Sequence, residues 1–460
     1  MSLYTTICAG LLFPLHERLK RHDTVAVRRR LEDSQWWSAE KIADDQARRL
    51  REFLVDIGQR VPYYRELFER LHFDPQGVRT TRDLSALPLL GKADIRANVE
   101  RLKADGHGPL ARFNTGGSSG EPLIFYMGKG RTTHDVAAKW RATRWWGVDI
   151  GDRELVVWGS PIELGAQDRL RRLRDGLMRS ALLPAFEMSP TNLDRFVATI
   201  GASRPAMLFG YPSSLSLIAR HARQKNIAMN KLGIKVVFVT SEKLYDEQRA
   251  VISDVFGCPV ANGYGARDAG FIAHQCPAGS LHVSAEDIVV ETLRPDGSST
   301  ARGEAGEIVV THLATGDFPF VRYATGDVGI LGERACSCGR GLPVLEDVKG
   351  RTTDFVVALD GTVMHGLALI YTVRDLPGVE RFRIEQMSKQ LTVVRLVVGP
   401  AFDRPAEERI VRDFKSRLGD TVDIRVEKVV EIANEASGKF RYVVSHVNAF
   451  ESVDEGLASA

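Results

Sequence analysis

The chain has 460 residues, 44% hydrophobic and 26% charged, enough for a sizeable core divided over two or three domains. Its 62 lysines and arginines nearly balance 59 aspartates and glutamates, giving a formal net charge of +3, and no basic field marks a nucleic-acid partner. Five cysteines, an odd number in a long chain, argue against a disulfide framework and for a reducing compartment, with a cytoplasmic location as the expectation.

Residues 7–15 form an apolar run that Pro14 interrupts, well short of the roughly 20 residues of an integral membrane segment. The run reads as a docked segment, the alternative being a peripheral membrane contact through Leu11, Leu12 and Phe13. SAEKIADDQARRLREFLVDIGQRV then repeats apolar positions at three- and four-residue steps, a helix capped by Ser38 and stopped by Pro62. From Glu154 the pattern alternates: ELVVWG, AMLFGY and IKVVFVTSE read as buried strands, TNLDRFVATI and SSLSLIARHARQKNI as helices. That alternation predicts an α/β sheet with ligands at its strand ends. Residues 281–327 turn to short strands joined by Gly and Asp turns, and a mixed α/β stretch follows Gly350. The expected fold is α/β, with a large domain over 1–350 (helical start 1–100, β-rich part about 281–345) and a small α+β domain over 351–460.

FNTGGSSGEPLIFY, residues 113–126, concentrates glycine, serine and threonine in one turn. Its G-x-S-x-G core, centred on Ser118, matches a hydrolase nucleophile elbow in letters, but an elbow needs a strand before it and a helix after it. PLARFNT makes a poor strand, and Pro122 followed by LIFY a poor helix. No G-x-x-x-x-G-K-[ST] phosphate loop occurs, and the apolar flanks do not suit a linker. A turn whose amides and hydroxyls wrap phosphate remains, beside the plainer reading of a tight turn.

Four later motifs lie in order: NGYGARDAG (262–270), FVRYATGDVG (320–329), VKGRTTDF (348–355) and EASGKFRYVV (435–444). With the glycine-rich turn, the series resembles the adenylate-forming enzymes, and more closely their phenylacetate–CoA ligase-like branch with its capsule and exopolysaccharide-cluster members. The resemblance implies a large adenylate-forming domain and a small mobile C-terminal lid. It also implies that a carboxylic acid attacks the α-phosphate of ATP, giving an acyl-adenylate and pyrophosphate, and that the thiol of CoA displaces AMP. Thr115, Gly116, Gly117, Ser118, Ser119 and Gly120 would hold the leaving pyrophosphate, and Asp327 the ribose hydroxyls. Tyr264, in the run Asn262, Gly263, Tyr264, Gly265, would stack on adenine, with Glu242 of TSEKL at the pocket's start. Asp268 would help place Mg²⁺, Lys439 and Arg351 would serve the reacting centre, and Asp354 would be the lid's hinge. Three positions depart from the pattern: Arg267-Asp268 stands for Ser/Thr-Glu, Thr353 replaces a carboxylate, and the loop has no lysine. Transfer to a carrier-protein pantetheine, transfer to an amine or hydroxyl acceptor, and a catalytically silent nucleotide-binding homologue are the alternatives. A homodimer stays open.

WGSPIEL and FGYPSSL end predicted strands, so Trp158, Glu163, Phe209, Tyr211 and Pro212 are expected near the acyl pocket, where aromatic walls suit an aryl acid; core packing is the competing reading. AHQCPAG and CSCGRGLP bring Cys276, Cys336 and Cys338 together as ligands of a structural Zn²⁺, with His274 or Cys258 as the fourth, against a reading of ordinary reduced thiols.

Overall fold

The computed structural model describes residues 2–114, 123–158, 169–185, 187–294, 296–348, 355–432 and 442–447. The helix Ala39–Arg60 forms as its periodicity dictates: the Ser38 hydroxyl accepts from the Lys41 amide, and Ile42, Leu50, Phe53, Leu54 and Ile57 line its buried face. Val61 is pushed to extended backbone by the following proline, and Pro62 takes the first turn of a second helix, Pro62–Leu71, so it starts one helix as well as stopping another.

A hairpin, β1 (Ala111–Asn114) with β2 (Ile124–Met127), precedes the main sheet. PLARFNT thus does contain a strand; four residues with two exposed offer little periodicity to read. The strand β2 after the glycine-rich turn agrees with rejecting a nucleophile elbow, which would have led into a helix.

The main sheet takes eleven strands: β3 (Glu154–Trp158), β4 (Ser180–Pro184), β6 (Met207–Gly210), β7 (Val236–Thr240), β8 (Val260–Ala266), β9 (Gly270–Gln275), β10 (Leu281–Val283), β11 (Ile288–Leu293), β12 (Ala305–His312), β13 (Tyr323–Leu331) and β14 (Val344–Val348), while β5 (Glu187–Met188) lies outside it. Their order is β11-β12-β13-β14-β10-β9-β8-β7-β6-β3-β4. β4, β3, β6, β7 and β8 run parallel. Both faces of that half are covered, which is why its strands are apolar without alternation. Leu155, Val157, Leu208, Val237 and Val239 pack with the helices Pro190–Ser203, Pro212–Gln224 and Asp246–Phe256. Met207, Phe209, Val236, Phe238 and Ala261 pack with Ala142 of the helix Lys129–Arg144. From β9 onward the pairing is antiparallel. The β-rich run is therefore a continuation of the α/β sheet, joined to it by the β8–β9 hairpin.

This sheet curls. Four strand spacings separate β8 from β13, about 19 Å if flat. Yet the Tyr264 hydroxyl donates to Asp327 Oδ2 at 3.1 Å, and those two side chains span at most about 13 Å between Cα atoms. Within the sheet, β12 and β13 lose register between Glu307–Val328 and Val309–Ala324, so Thr325, Gly326 and Asp327 bulge from the ladder.

Residues 355–447 hold a separate core. β15 (Phe355–Val357) pairs with β16 (Val363–His365), which also pairs with β5. β17 (Val379–Ser388) and β18 (Leu391–Val398) form a hairpin flanked in parallel by β20 (Val443–Ser445) and β19 (Asp423–Lys428). Ile410, Phe414 and Leu418 of the helix Arg404–Leu418 cover it. Among the described residues no helix is long and apolar enough to cross a membrane. Of Leu11, Leu12 and Phe13, only Leu11 is exposed; Phe13 is buried edge-on against Trp140, with ring centroids 4.9 Å apart.

Candidate active site

Two of the expected nucleotide residues touch where the sheet curls, and a third is bonded to the same strand, β13. Tyr264 on β8 is hydrogen-bonded to Asp327 in the β13 bulge. Asp268, in the β8–β9 turn and only 6% exposed, accepts from the Tyr323 hydroxyl at 2.5 Å through Oδ2. Gly263 and Gly265 flank Tyr264 for reasons internal to the protein. A Cβ on Gly263 would stand 2.8 Å from the Phe238 ring, and one on Gly265 would stand 2.4 Å from the Gly270 carbonyl. The Asn262 amide is held by the Gln275 side chain at 2.9 Å.

Beneath the turn lies a buried charged network that the motifs do not include. Arg131 donates to the carbonyls of Arg267 and Asp268, both at 3.2 Å, and pairs with Asp135 at 2.8 Å. Although burial opposes ionisation, Arg131 and His312 hold the Asp135 carboxyl at about 2. Arg131 therefore fixes the backbone that carries Asp268. The sequence offers only an i,i+4 pair, Arg131–Asp135, in an otherwise polar helix, a spacing equally at home on an exposed face.

Glu242 follows β7, where Ser241 adopts a left-handed φ of 74°. The Ser213 hydroxyl donates to Glu242 Oε2 at 2.5 Å, but burial outweighs this and pushes the carboxyl up to about 7. Trp158 and Tyr211 stack at 4.4 Å at the ends of β3 and β6. Pro212 opens the helix Pro212–Gln224 beside them and is buried. Phe209 is a core residue: alternation along β6 turns it into the cluster with Phe238, and Lys139 caps its ring at 4.3 Å. Thr115, Gly116, Gly117, Ser118, Ser119, Gly120, Glu163, Arg351, Asp354 and Lys439 lie outside the described residues.

The cysteine expectation is corrected in its fourth member. The ligand atoms of Cys276, His282, Cys336 and Cys338 all lie within 4.8 Å of one another. Cys276 Sγ is 3.6 Å from Cys336 Sγ, and Cys338 Sγ is 3.2 Å from His282 Nε2. A zinc tetrahedron with bonds of about 2.3 Å to sulfur has edges of about 3.8 Å, so this donor set fits one. His282 Nδ1 faces the Leu342 carbonyl at 3.2 Å, leaving Nε2 toward the thiols, and burial pushes the imidazole down to about 4, so it is neutral at pH 7. His274 stacks on Phe271 at 5.5 Å, where burial pushes it down to about 3 and neither ring nitrogen has a partner among the described residues. Cys258 sits in the core under the helices, its thiol pushed up to about 12 by burial. Which histidine joins the cysteines depends on strand register, which spacing alone does not reveal.

Residues 356–446 match the family model described as the CapK C-terminal domain. The chain is 24% identical to Protein CapK of Staphylococcus aureus over 409 residues, 87% of this chain and 89% of the relative. It is 25% identical to a phenylacetate–coenzyme A ligase of Thermus thermophilus over 440 residues, 88% of this chain and 96% of that enzyme. The solved structure of a 2-hydroxyisobutyryl-CoA ligase, in complex with its acyl-AMP and CoA, superposes with a TM-score of 0.65 at 19% identity, over 93% of this chain and 94% of that one. The fold is that of the adenylate-forming CoA ligases, as the ordered motifs led one to expect. Within that class the chain is similar to CapK and to the phenylacetate–coenzyme A ligases.

Proposed function

We propose that the protein is an AMP-forming acid–thiol ligase. The observation that carries this is the Tyr264–Asp327 hydrogen bond across the curled sheet, with Asp268 bonded to Tyr323 of the same β13, in a chain whose relatives include a phenylacetate–coenzyme A ligase matched over 96% of its length. Asp327 accepts the ribose hydroxyls and Tyr264 stacks on the base, its hydroxyl holding the aspartate in place. Asp268 offers Mg²⁺ a hard oxygen ligand, which fits a carboxylate whose other oxygen is engaged by Tyr323. Mg²⁺ supplies charge neutralisation of the phosphates. Residues 115–120 receive the leaving pyrophosphate, and Lys439 neutralises charge that builds between carboxylate and α-phosphate.

The domain boundary falls near residue 350, where Arg351 and Asp354 allow the small lid to rotate between the two half-reactions. CoA is the acceptor, and a planar or aryl acid suits the Trp158–Tyr211 stack. The need for ATP and CoA places the enzyme in the cytoplasm. Cys276, His282, Cys336 and Cys338 bind a structural Zn²⁺ with no open position for chemistry; metal analysis of freshly purified protein should find about one zinc per chain, lost in Cys336→Ser.

The test of the activity is acid-dependent exchange of labelled pyrophosphate into ATP over a panel of carboxylic acids, followed by AMP release on adding CoA. Exchange should require Lys439 and Asp327. Exchange without AMP release on addition of CoA would move the acceptor to a carrier pantetheine, and exchange indifferent to Asp327→Ala would remove the ribose assignment.

A further inference from the structure

Leu3, Ile7, Leu11, Leu15 and Leu19 recur every fourth residue and are 79%, 42%, 62%, 53% and 78% exposed. Thr5, Cys8, Phe13 and Glu17 form the opposite, buried face. In an unbroken α-helix, at about 100° per residue, a four-residue step drifts by about 40° each time and the row would wind around the axis. Here the segment Cys8–Leu12 is a π turn, in which about 80° per residue drifts the row back the other way. The five side chains accordingly keep to one outward ridge about 24 Å long. No charged side chain occurs in residues 2–15.

Cations border the ridge. Arg18, Lys20 and Arg21 are exposed at its end with the single acid Asp23, while Glu17 turns inward to Thr24. The end of a second helix, Arg169–Leu177, meets the segment here, with Arg174 paired to Asp175 on its last turn. It is fastened there by the Tyr4 hydroxyl on the Leu177 carbonyl at 2.7 Å and by Arg179 over the Tyr4 ring at 3.8 Å. Leu173 and Leu177, 63% and 48% exposed, add to the apolar surface.

We propose that the ridge over residues 3–19, with the helix Arg169–Leu177, is an interfacial docking surface for an anionic lipid bilayer. An uncharged ridge flanked by cations can lower its leucines to the headgroup–acyl boundary while lysine and arginine meet lipid phosphates. A second copy of the chain suits the surface less well. Self-pairing would bring Arg18, Lys20 and Arg21 of both copies together with only Asp23 to offset them, a repulsion that anionic headgroups remove.

The test is co-sedimentation of the full chain with vesicles of phosphatidylcholine alone or mixed with phosphatidylglycerol. The wild type should bind the mixed vesicles and not the neutral ones, and binding should weaken as salt rises. Leu11→Asp with Leu15→Asp should cut the partition coefficient at least tenfold, as should Arg18→Glu with Lys20→Glu, while circular dichroism and pyrophosphate exchange stay unchanged. Absence of binding to mixed vesicles at low salt would overturn the proposal. So would binding that both double variants retain, or a wild-type dimer that the leucine substitutions dissociate.

Discussion

The Tyr264 hydroxyl gives Asp327 a hydrogen bond that orients its carboxylate before any ribose arrives. On the proposed ribose role, Asp327→Ala would remove two charge-assisted bonds to the sugar, each about 1.5–3 kcal/mol, and should raise the KM for ATP at least tenfold in steady-state kinetics. Tyr264→Phe keeps the ring and loses only the orienting bond, so its KM should rise by less. A different signature belongs to Glu242, whose carboxyl burial raises from 4.5 to about 7. A raised carboxyl pKa stabilises the folded state below the unfolded value, and that contribution is lost as pH climbs through the folded one. Stability should therefore fall between about pH 4.5 and 7, by on the order of 2 kcal/mol after discounting for the part of the side chain that meets solvent. Urea midpoints at pH 5 and pH 8 should differ more for wild type than for Glu242→Gln, which has no proton to lose.

At the scale of elements, β3 and β6 approach so closely that a Cβ on Gly210 would meet the Val157 carbonyl at 2.2 Å. Gly210→Ala must push the strands apart at the end that carries Trp158 and Tyr211, and should cost about 1–3 kcal/mol by chemical denaturation. Much of this layer was legible in the sequence. Both-face burial makes the parallel strands continuous apolar runs, and the helix beginning after Ser38 wears its period and its cap openly. What stayed hidden depends on contacts between distant elements. Phe209 reads equally as pocket or core until β6 is placed against the helix Lys129–Arg144. His282 is no more cysteine-like in spacing than His274 until β9 and β10 set which ring faces the thiols. Arg131 shows its role only when the β8–β9 turn is laid over it, and the β1 strand is too short to have a pattern.

For the whole molecule, Tyr264 and Asp327, the residues proposed to hold the nucleotide, belong to one hydrogen-bonded sheet that must bend to bring them together. The strands between β8 and β13 are β9, β10 and β14. Cys276 follows β9, His282 lies on β10, and Cys336 and Cys338 stand in the segment leading to β14. A metal held there would act like the clasp of a bracelet: it would touch no substrate, yet its removal should let the arc relax and draw Asp327 away from Tyr264. Removal of zinc by a zinc-selective chelator, with Mg²⁺ kept in excess, should then lift the KM for ATP more than it lowers kcat at saturating ATP, and restoring zinc should return both, so that nucleotide affinity becomes a remote readout of metal supply.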